Sequence, residues 1–581
     1  MNKLSKNANL VLEQRYLLRG GDNQLLESPD DMFMRVAKAV AQAEIIWGDK
    51  KEVDRYTDAY YKLISDLIFL PNSPTLMNAG ASQQQLSACF VLPVEDSLDE
   101  IFHTLKSAAK IHQRGGGTGF NFSKIRPKGD WVGTKRNVAL GPVDVIEIFD
   151  RATEKIKQGG KRRGANMGIL NIDHPDILEF IRLKGAGGKV NNFNLSLGIT
   201  DQFMMAVEEG KEWSLVNPRD ASIAEKVLAR ELWEGIVENA WKCGDPGLIF
   251  LDTINGMNPL ARLGKIIATN PCGEVPLFPN EACNLGSINI SKCVRKHENK
   301  MVVDWEKLEE VVILAVRFLD NVIEVNDYPD ELIEKATKSN RKIGLGVMAW
   351  ADLLVLLKIP YASEQAVQLA EKLMNFIAEK SRAASSALAK VRGNFPNWPR
   401  SAFSPKEPMR NATRTSIAPT GSISIIADVS ASIEPIYALA FERENVLGGL
   451  NLSSSHQLFL EYLDRKGLDK HSILQKVRRT GSCKDIDELG EDIREIFKTA
   501  LEIEPYWHLR HQEAFQRYTD NAVSKTINLP NTATIETVAS IYKDAWKMKL
   551  KGITLFRNNT GSQQVLISGI ADDSAICKVC I

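Results

Sequence analysis

No apolar run in this chain comes near the length of a membrane-spanning helix. The stretch Val311-Val312-Ile313-Leu314-Ala315-Val316 ends at Arg317, whereas roughly 20 apolar residues are needed to cross a bilayer. Nor is there an excess of charge. The 73 basic side chains balance 73 acidic ones, so the composition carries no electrostatic footprint for nucleic acid or an anionic membrane. Met1-Asn2-Lys3-Leu4-Ser5-Lys6 is not followed by an apolar stretch of the kind a signal peptide needs. Cysteine is sparse, eight in 581 residues, which excludes a disulfide scaffold. These absences predict a soluble, cytoplasmic protein that binds neither nucleic acid nor membrane and keeps most of its cysteines as thiols. No internal repeat or long low-complexity segment is evident.

The length does carry information. A single core stops growing at roughly 250–300 residues, so one large barrel with appendages or several domains is expected. Residues 1–70 read as mainly helical, with apolar spacing over 31–46 and over 56–70, closed by Pro71. Polar and glycine-rich turns dominate 72–119. Helical periodicity is predicted over 98–114, 143–158, 226–243, 305–326 and 363–392. In the fourth of these, Leu308, Val311, Val312, Ala315, Phe318, Leu319, Val322 and Ile323 keep a 3.6-residue period. Strands are predicted at 192–199, 248–251, 288–290, 343–347, 423–426 and 552–556. Alternation of strands and helices over so long a span points to an α/β architecture, a barrel among the options. Residues 569–581 are polar and lack periodicity, as expected of a mobile tail.

The chemistry concentrates in Asn270-Pro271-Cys272-Gly273-Glu274. Proline and glycine flank the thiol and punctuate the chain, so a carboxamide, a thiol and a carboxylate are presented together at a loop tip. Such a thiol could serve as nucleophile, metal ligand, redox partner or radical carrier. A carboxylate two residues away raises a thiol's pKa, which disfavours chemistry that needs the thiolate. Loss of a hydrogen atom from sulfur needs no thiolate. Eleven residues after Cys272 stands Cys283, within Asn280-Glu281-Ala282-Cys283-Asn284-Leu285-Gly286-Ser287. Upstream lies Leu86-Ser87-Ala88-Cys89-Phe90, and the chain closes on Cys577-Lys578-Val579-Cys580. A lone Cys-x-x-Cys could be half of a zinc site, but no second pair stands near it. Cys243, Cys293 and Cys483 read as structural. Gly115-Gly116-Gly117-Thr118-Gly119 lacks the preceding strand and following helix of a dinucleotide fingerprint.

Taken together, these motifs resemble those of ribonucleotide reductases, and most those of the adenosylcobalamin-dependent class II. The similarity falls in separate blocks: 70–80, 86–97, 114–122, 157–168, 269–290, 418–424 and 522–556. The resemblance implies a helical region at 1–70, a ten-stranded α/β catalytic barrel at 71–568 threaded by a finger loop, and a redox tail at 569–581. It implies that Cys272, as a transient thiyl radical, takes the 3′-hydrogen of a bound ribonucleotide. Glu274 would act as general base on the 3′-hydroxyl, and Asn270 would hydrogen-bond the substrate hydroxyls. Cys89 and Cys283 match the reducing pair, which ends as a disulfide. Cys577 and Cys580 would re-reduce that disulfide before a thioredoxin or glutaredoxin-like protein reduces the tail. Pro419, Thr420, Gly421, Ser422 and Ile423 match the substrate-phosphate loop, with Thr75, Ala88 and Gly117 as further substrate contacts.

Two further segments match allosteric loops. Residues 114–126 would form the first specificity loop, with Asp96 and Arg126 contacting a deoxynucleotide or ATP effector. Residues 157–164 would form the second, through Lys157, Gln158 and Arg162. The family's effector site lies across a dimer interface, so a homodimer built by 98–114 and 143–158 is expected. No ATP-cone domain is expected ahead of the barrel motifs, and no metal site is identified. Large subunits of class I carry an adjacent tyrosine pair late in the barrel, whereas 522–566 contains only Tyr542. Arg557-Asn558-Asn559-Thr560-Gly561 does not resemble a glycyl-radical motif. Elimination favours adenosylcobalamin as cofactor, although no cobalamin-ligating histidine motif is present. A class I-like subunit served by a separate metalloprotein remains as an alternative. A non-catalytic regulatory paralogue is disfavoured because Cys89, Cys272, Glu274 and Cys283 are all retained.

Overall fold

The structure, a computed structural model, describes residues 4–135, 137–158, 162–185, 190–443, 452–558 and 564–568. A ten-stranded sheet organises it. Its strands are β1 Phe69–Pro71, β2 Cys89–Val91, β3 Gly117–Asn121, β4 Asn166–Asn171, β5 Phe193–Ile199, β6 Gly247–Phe250, β7 Glu281–Asn289, β8 Ile343–Met348, β9 Thr526–Leu529 and β10 Gly552–Arg557. Strands β2 to β6 run parallel in chain order. In the other half β7 pairs parallel with β8, and β9 with β10. Parallel bridges Leu345–Thr415 and Ile417–Val523 insert residues 415–417 between β8 and the approach to β9. The halves meet antiparallel at two seams, β2 against β7 and β6 against β10. The sheet therefore closes into a barrel, with β1 antiparallel to the far end of β7.

Alternation along the strands sorts the side chains into two cores. Phe90, Phe120, Leu195, Leu197, Leu248 and Phe250 point outward, into a core shared with helices Leu98–Gln113, Gly141–Lys155 and Ala229–Cys243. Cys89, Val91, Met167, Ile169, Ile249 and Cys283 point inward, against Ile266, Ala268, Val275 and Leu277 of an internal hairpin. Parallel strands buried on both faces need covering helices outside, and the crossover connections supply them.

The N-terminal helices Pro29–Ala41 and Lys50–Ser65 pack on each other, and the first also packs on helix Trp305–Val325. Ser28 and Asp31 form a reciprocal capping box at the first helix, and Asp49 caps the second. Buried ions tie this layer to the barrel helices. Glu44 pairs with Arg317 and Arg392, while Asp320 pairs with Arg341, Arg392 and Arg410. Burial alone would raise the Asp320 carboxyl, but the Arg341, Arg410 and Arg392 guanidiniums outweigh it and hold it well below the usual carboxylate range.

Several expectations from periodicity need correction. The helix expected over 56–70 ends at Ser65, and Phe69–Pro71 is a strand. The helix expected over 143–158 ends at Lys155, because Lys157–Gln158 turn into a strand paired with Arg162–Arg163. Residues 226–228 belong to a surface strand, Ile223–Leu228, ahead of helix Ala229–Cys243. Residues 423–426 lie in the helix Gly421–Ala427, not in a strand. Four apolar-rich residues cannot separate a period of two from one of 3.6, and Thr420 in a left-handed conformation (φ 54°) starts the helical turn. Within 72–119, β2, β3 and the short helix Ser73–Asn78 replace the predicted turns.

Asp320→Asn is expected to leave buried guanidiniums without their shared anion and to destabilise the protein by about 3–5 kcal/mol. Urea unfolding would show this as a lowered midpoint, and an unchanged midpoint would contradict the importance given to the network.

Candidate active site

The hairpin inside the barrel pairs Ala268–Thr269 with Pro276–Leu277. At its tip the Gly273 amide donates to the Asn270 carbonyl at 3.1 Å, closing a four-residue turn. Pro271 occupies the second position, where its fixed φ favours such a turn. Gly273 has φ +79°, a left-handed conformation open to glycine without strain. The Val275 amide donates to Asn270 Oδ1 at 3.0 Å, which folds the carboxamide back into the loop.

Contacts to this tip come from around the ring. On β3, an added Cβ at Gly117 would meet Pro271 Cγ at 2.8 Å, and one at Gly119 would lie 1.7 Å from the Thr269 carbonyl oxygen. From β5, Asn194 Nδ2 donates to the Pro271 carbonyl at 2.8 Å. Opposite, the Glu274 carbonyl accepts from Ser416 Oγ at 2.9 Å and from the Ala522 amide at 2.8 Å. The loop is thus contacted by segments of both half-barrels.

Cys89 on β2 and Cys283 on β7 are directly opposed across the first antiparallel seam. Opposed antiparallel residues have Cα atoms about 4.5–5.5 Å apart, inside the range of about 4.4–6.8 Å that a disulfide needs. Both are buried thiols. Burial pushes both far above an ordinary thiol pKa. The Glu274 charge adds to this at Cys89, and Lys342 opposes it at Cys283. Asn270 Nδ2 donates to Cys89 Sγ at 3.1 Å, and Cys89 Sγ stands 4.0 Å from Glu274 Oε1. The Cys283 thiol faces the carbonyls of Asn284 and Lys342 at 3.4 and 3.5 Å. Burial also raises Glu274 to about 7, against the opposing Asn270 amide. Its second oxygen, Oε2, is buried without a protein partner. Cys272, by contrast, is exposed at the turn.

The structure thus brings Asn270, Cys272, Glu274, Cys89 and Cys283 together. It adds two residues that the motifs did not flag, Asn194 and Ser416, and gives Gly119 of the glycine-rich run a packing role. A signal for the first was present, since Asn194, Ser196 and Gly198 form the small, polar face of an alternating strand.

The other expected residues are placed as follows. Thr75 is buried, with its hydroxyl 2.8 Å from Asn72 Oδ1 and 3.0 Å from the Leu86 carbonyl. Ala88 and Ala418 both pack, half-buried, on the inner core that holds Cys89 and Cys283. Gly117 pairs with Cys89 across β2 and β3. Pro419, Gly421 and Ser422 are half-buried and Ile423 is buried. Thr420 Oγ1 accepts from the Ser432 amide at 2.7 Å, so that hydroxyl holds the loop. Arg126 Nε donates to Asp96 Oδ2 at 2.7 Å. Lys157 and Gln158 form one leg of a hairpin and Arg162 stands on the other. Cys577 and Cys580 lie outside the described residues. Cys293 and Cys483 are buried, and burial pushes each thiol up to about 12. Tyr542 is buried, with its hydroxyl on the Pro246 carbonyl at 2.9 Å.

Two outcomes follow from this geometry. Gly119→Ala sets a methyl against main chain, so the hairpin must shift. Cys89 and Cys283 are then expected to titrate with a thiol reagent under native conditions, and continued protection would contradict the close approach. A carboxyl whose pKa rises on folding holds its proton more tightly in the folded state, so its contribution to stability falls as pH rises from about 4.5 to about 7. Relative to Glu274→Gln, the wild type should lose on the order of 3 kcal/mol over that window. Parallel pH–stability curves for the two proteins would refute the raised pKa.

Comparison with known proteins matches this arrangement. The family described as "Ribonucleotide reductase, barrel domain" matches residues 87–556, and "Ribonucleotide reductase, all-alpha domain" matches residues 2–84. A vitamin B12-dependent ribonucleoside-diphosphate reductase of Thermoplasma acidophilum is 47% identical, over 98% of this chain and 81% of its own. One of Mycobacterium tuberculosis is 46% identical, over 97% of this chain and 81% of its own. Among solved structures, the Actinobacillus ureae class Id ribonucleotide reductase alpha subunit shares the fold. Its TM-score is 0.77 at 24% identity, over 96% of this chain and 97% of that one. With three thiols around one buried carboxylate at the heart of a closed barrel, the chain belongs to the ribonucleotide reductase family.

Proposed function

We propose that this protein reduces ribonucleotides to 2′-deoxyribonucleotides by thiyl-radical chemistry, with the radical generated from adenosylcobalamin. The observation that carries the reading is the opposed pair Cys89 and Cys283 beside Glu274 and the Cys272 turn. The reaction balances without another reductant at the site. One ribonucleotide and two thiols give one deoxyribonucleotide, one disulfide and one water. Cys272 removes the 3′-hydrogen and returns it at the end. Glu274, with one oxygen unpartnered, takes the 3′-hydroxyl proton as the 2′-hydroxyl leaves as water. Cys89 and Cys283 supply two electrons and two protons as their sulfurs join. Neutral thiols are what this requires, and burial keeps them neutral.

Of the three thiols, Cys272 alone is exposed, so it is the one a cofactor entering from outside can reach; in this respect the residues fit adenosylcobalamin. When bound, that cofactor supplies one-electron chemistry through its weak cobalt–carbon bond. The relatives at 46–47% identity are named vitamin B12-dependent, and Tyr542 is committed to a main-chain carbonyl. Both favour this source over a separate metalloprotein subunit. The names of the same relatives favour diphosphate substrates.

The finer parts of the reading rest on the motifs. The substrate phosphates lie against residues 419–423, with Thr75, Ala88 and Gly117 around the sugar. A deoxynucleotide or ATP effector binds near Asp96 and Arg126, and Lys157, Gln158 and Arg162 report its identity to the active site. Helices Leu98–Gln113 and Gly141–Lys155 pack together and expose Leu98 and Phe102, which supports a homodimer through that face. Cys577 and Cys580 pass electrons from a cytoplasmic thioredoxin or glutaredoxin-like protein.

An anaerobic assay of ribonucleoside diphosphate reduction with a small dithiol tests the reading. Turnover is expected with adenosylcobalamin and not without it, and Cys272→Ser is expected to abolish it. Turnover that ignores the cofactor would overturn the radical source, and activity in Cys272→Ser would overturn the mechanism.

A further inference from the structure

A run of four buried polar side chains lies outside the thiol site and crosses from strand β3 to the roots of the Lys157–Arg163 hairpin. These are His112, Thr118, Asn166 and Thr153, none more than 3% exposed. Asn166 Nδ2 donates to the Asn192 carbonyl at 3.2 Å. A carbonyl can only accept, so the orientation of the amide is settled. Asn166 Oδ1 then faces Thr118 Oγ1 at 2.7 Å, and the threonine must be the donor. With its one proton committed, Thr118 Oγ1 accepts from His112 Nε2 at 2.9 Å. At the far end Asn166 Nδ2 donates to Thr153 Oγ1 at 3.0 Å, and Thr153 donates to the Phe149 carbonyl at 2.7 Å. Every proton runs one way. Burial holds His112 down at about 4, so it stays neutral at neutral pH.

The positions of these residues matter more than their burial. Thr118 sits on β3 between Gly117, which pairs with Cys89, and Gly119, which abuts the finger hairpin. Its amide donates to the Ala165 carbonyl at 3.2 Å. Thr153 is in the last turn of helix Gly141–Lys155, which leads into Lys157–Gln158, and Asn166 receives the chain back from Arg162–Arg163. The run therefore grips both roots of the hairpin and joins them to the strand beside the thiols. Gly164 closes the gap: an added Cβ would lie 2.6 Å from Thr153 Cγ2 and 2.9 Å from His112 Nδ1.

We propose that His112, Thr118, Asn166 and Thr153 are positioning residues that couple the hairpin to the substrate end of the barrel, so that effector identity selects the base reduced. This rests on the reading of the hairpin as the second specificity loop. A directional run of hydrogen bonds favours one arrangement, so a displaced hairpin moves β3 with it.

The test uses the full chain with adenosylcobalamin and measures kcat/KM for cytidine and adenosine diphosphates, each with thymidine, deoxyadenosine or deoxyguanosine triphosphate. The wild type is expected to change its preference between substrates with effector. Thr118→Val removes the donor at nearly constant volume. It should cut that change by about tenfold, in line with the size of allosteric couplings, while effector affinity and effector-free turnover stay within about twofold. Thr118→Ser should restore the response. Should Thr118→Val fail to fold, Thr153→Val interrupts the same run at its other end. A full effector response in a folded variant with a lowered melting temperature would reduce the run to a structural role and overturn this inference alone. A wild type indifferent to all three effectors would overturn the specificity-loop reading, and this inference with it.

Discussion

The antiparallel seam between β2 and β7 is the constraint on which the site depends. Two parallel half-barrels joined head to tail offer directly opposed positions at each seam, and Cys89 and Cys283 occupy one of them. Covalent bonding between their sulfurs then needs little backbone movement, because opposed strand positions already satisfy disulfide geometry. The finger hairpin brings Glu274 and Asn270 against the same seam, 4.0 and 3.1 Å from Cys89 Sγ.

That approach depends on the inner face of β3. Gly117, Gly119 and Asn121 alternate on it. The two glycines leave room for Pro271 and Thr269, while Asn121 Nδ2 holds the hairpin by the Ile267 carbonyl at 2.8 Å. Outward-facing Phe120 remains an ordinary core residue. One strand thus provides close packing on one side and close main-chain approach on the other. Enclosure has an electrostatic result as well. Removing water raises the Glu274 carboxyl and both opposed thiols together. A single physical cause therefore lifts one carboxyl to about 7 and keeps both opposed thiols protonated.

Much of the site was legible in the sequence, and less of the fold. The cysteine spacing and the Asn270–Glu274 motif pointed to the family and to five residues that the fold brings together. The long amphipathic helices at 305–325 and 364–392 were also legible, since each presents a sustained 3.6 period. Periodicity does not predict β1, β2, β3, β4 or β9. Three of them carry glycine, asparagine or cysteine on an inner face that must accommodate the hairpin or the thiols, which removes the β-branched enrichment a strand normally displays. Residues 423–426 of the helix Gly421–Ala427 read as a strand for the opposite reason. Its run of isoleucines is short enough to fit either period, and only the left-handed Thr420 before it decides the outcome. Barrel closure follows from the family resemblance and not from periodicity, because it passes through single bridges at 415–417 and 523 rather than a full strand.

Unequal exposure of the three thiols bears on the order of events in the proposed reaction. A radical on sulfur must be created by something that reaches the sulfur, while the pair that supplies electrons must be kept from that same agent. Cys272 at an exposed turn and Cys89 and Cys283 beneath the hairpin meet both demands. Were the pair equally exposed, the radical could be quenched by a neighbouring thiol before substrate arrived. Within the turn itself the contrast is between exposed Cys272 and buried Glu274, and the left-handed Gly273 turns the chain from one to the other.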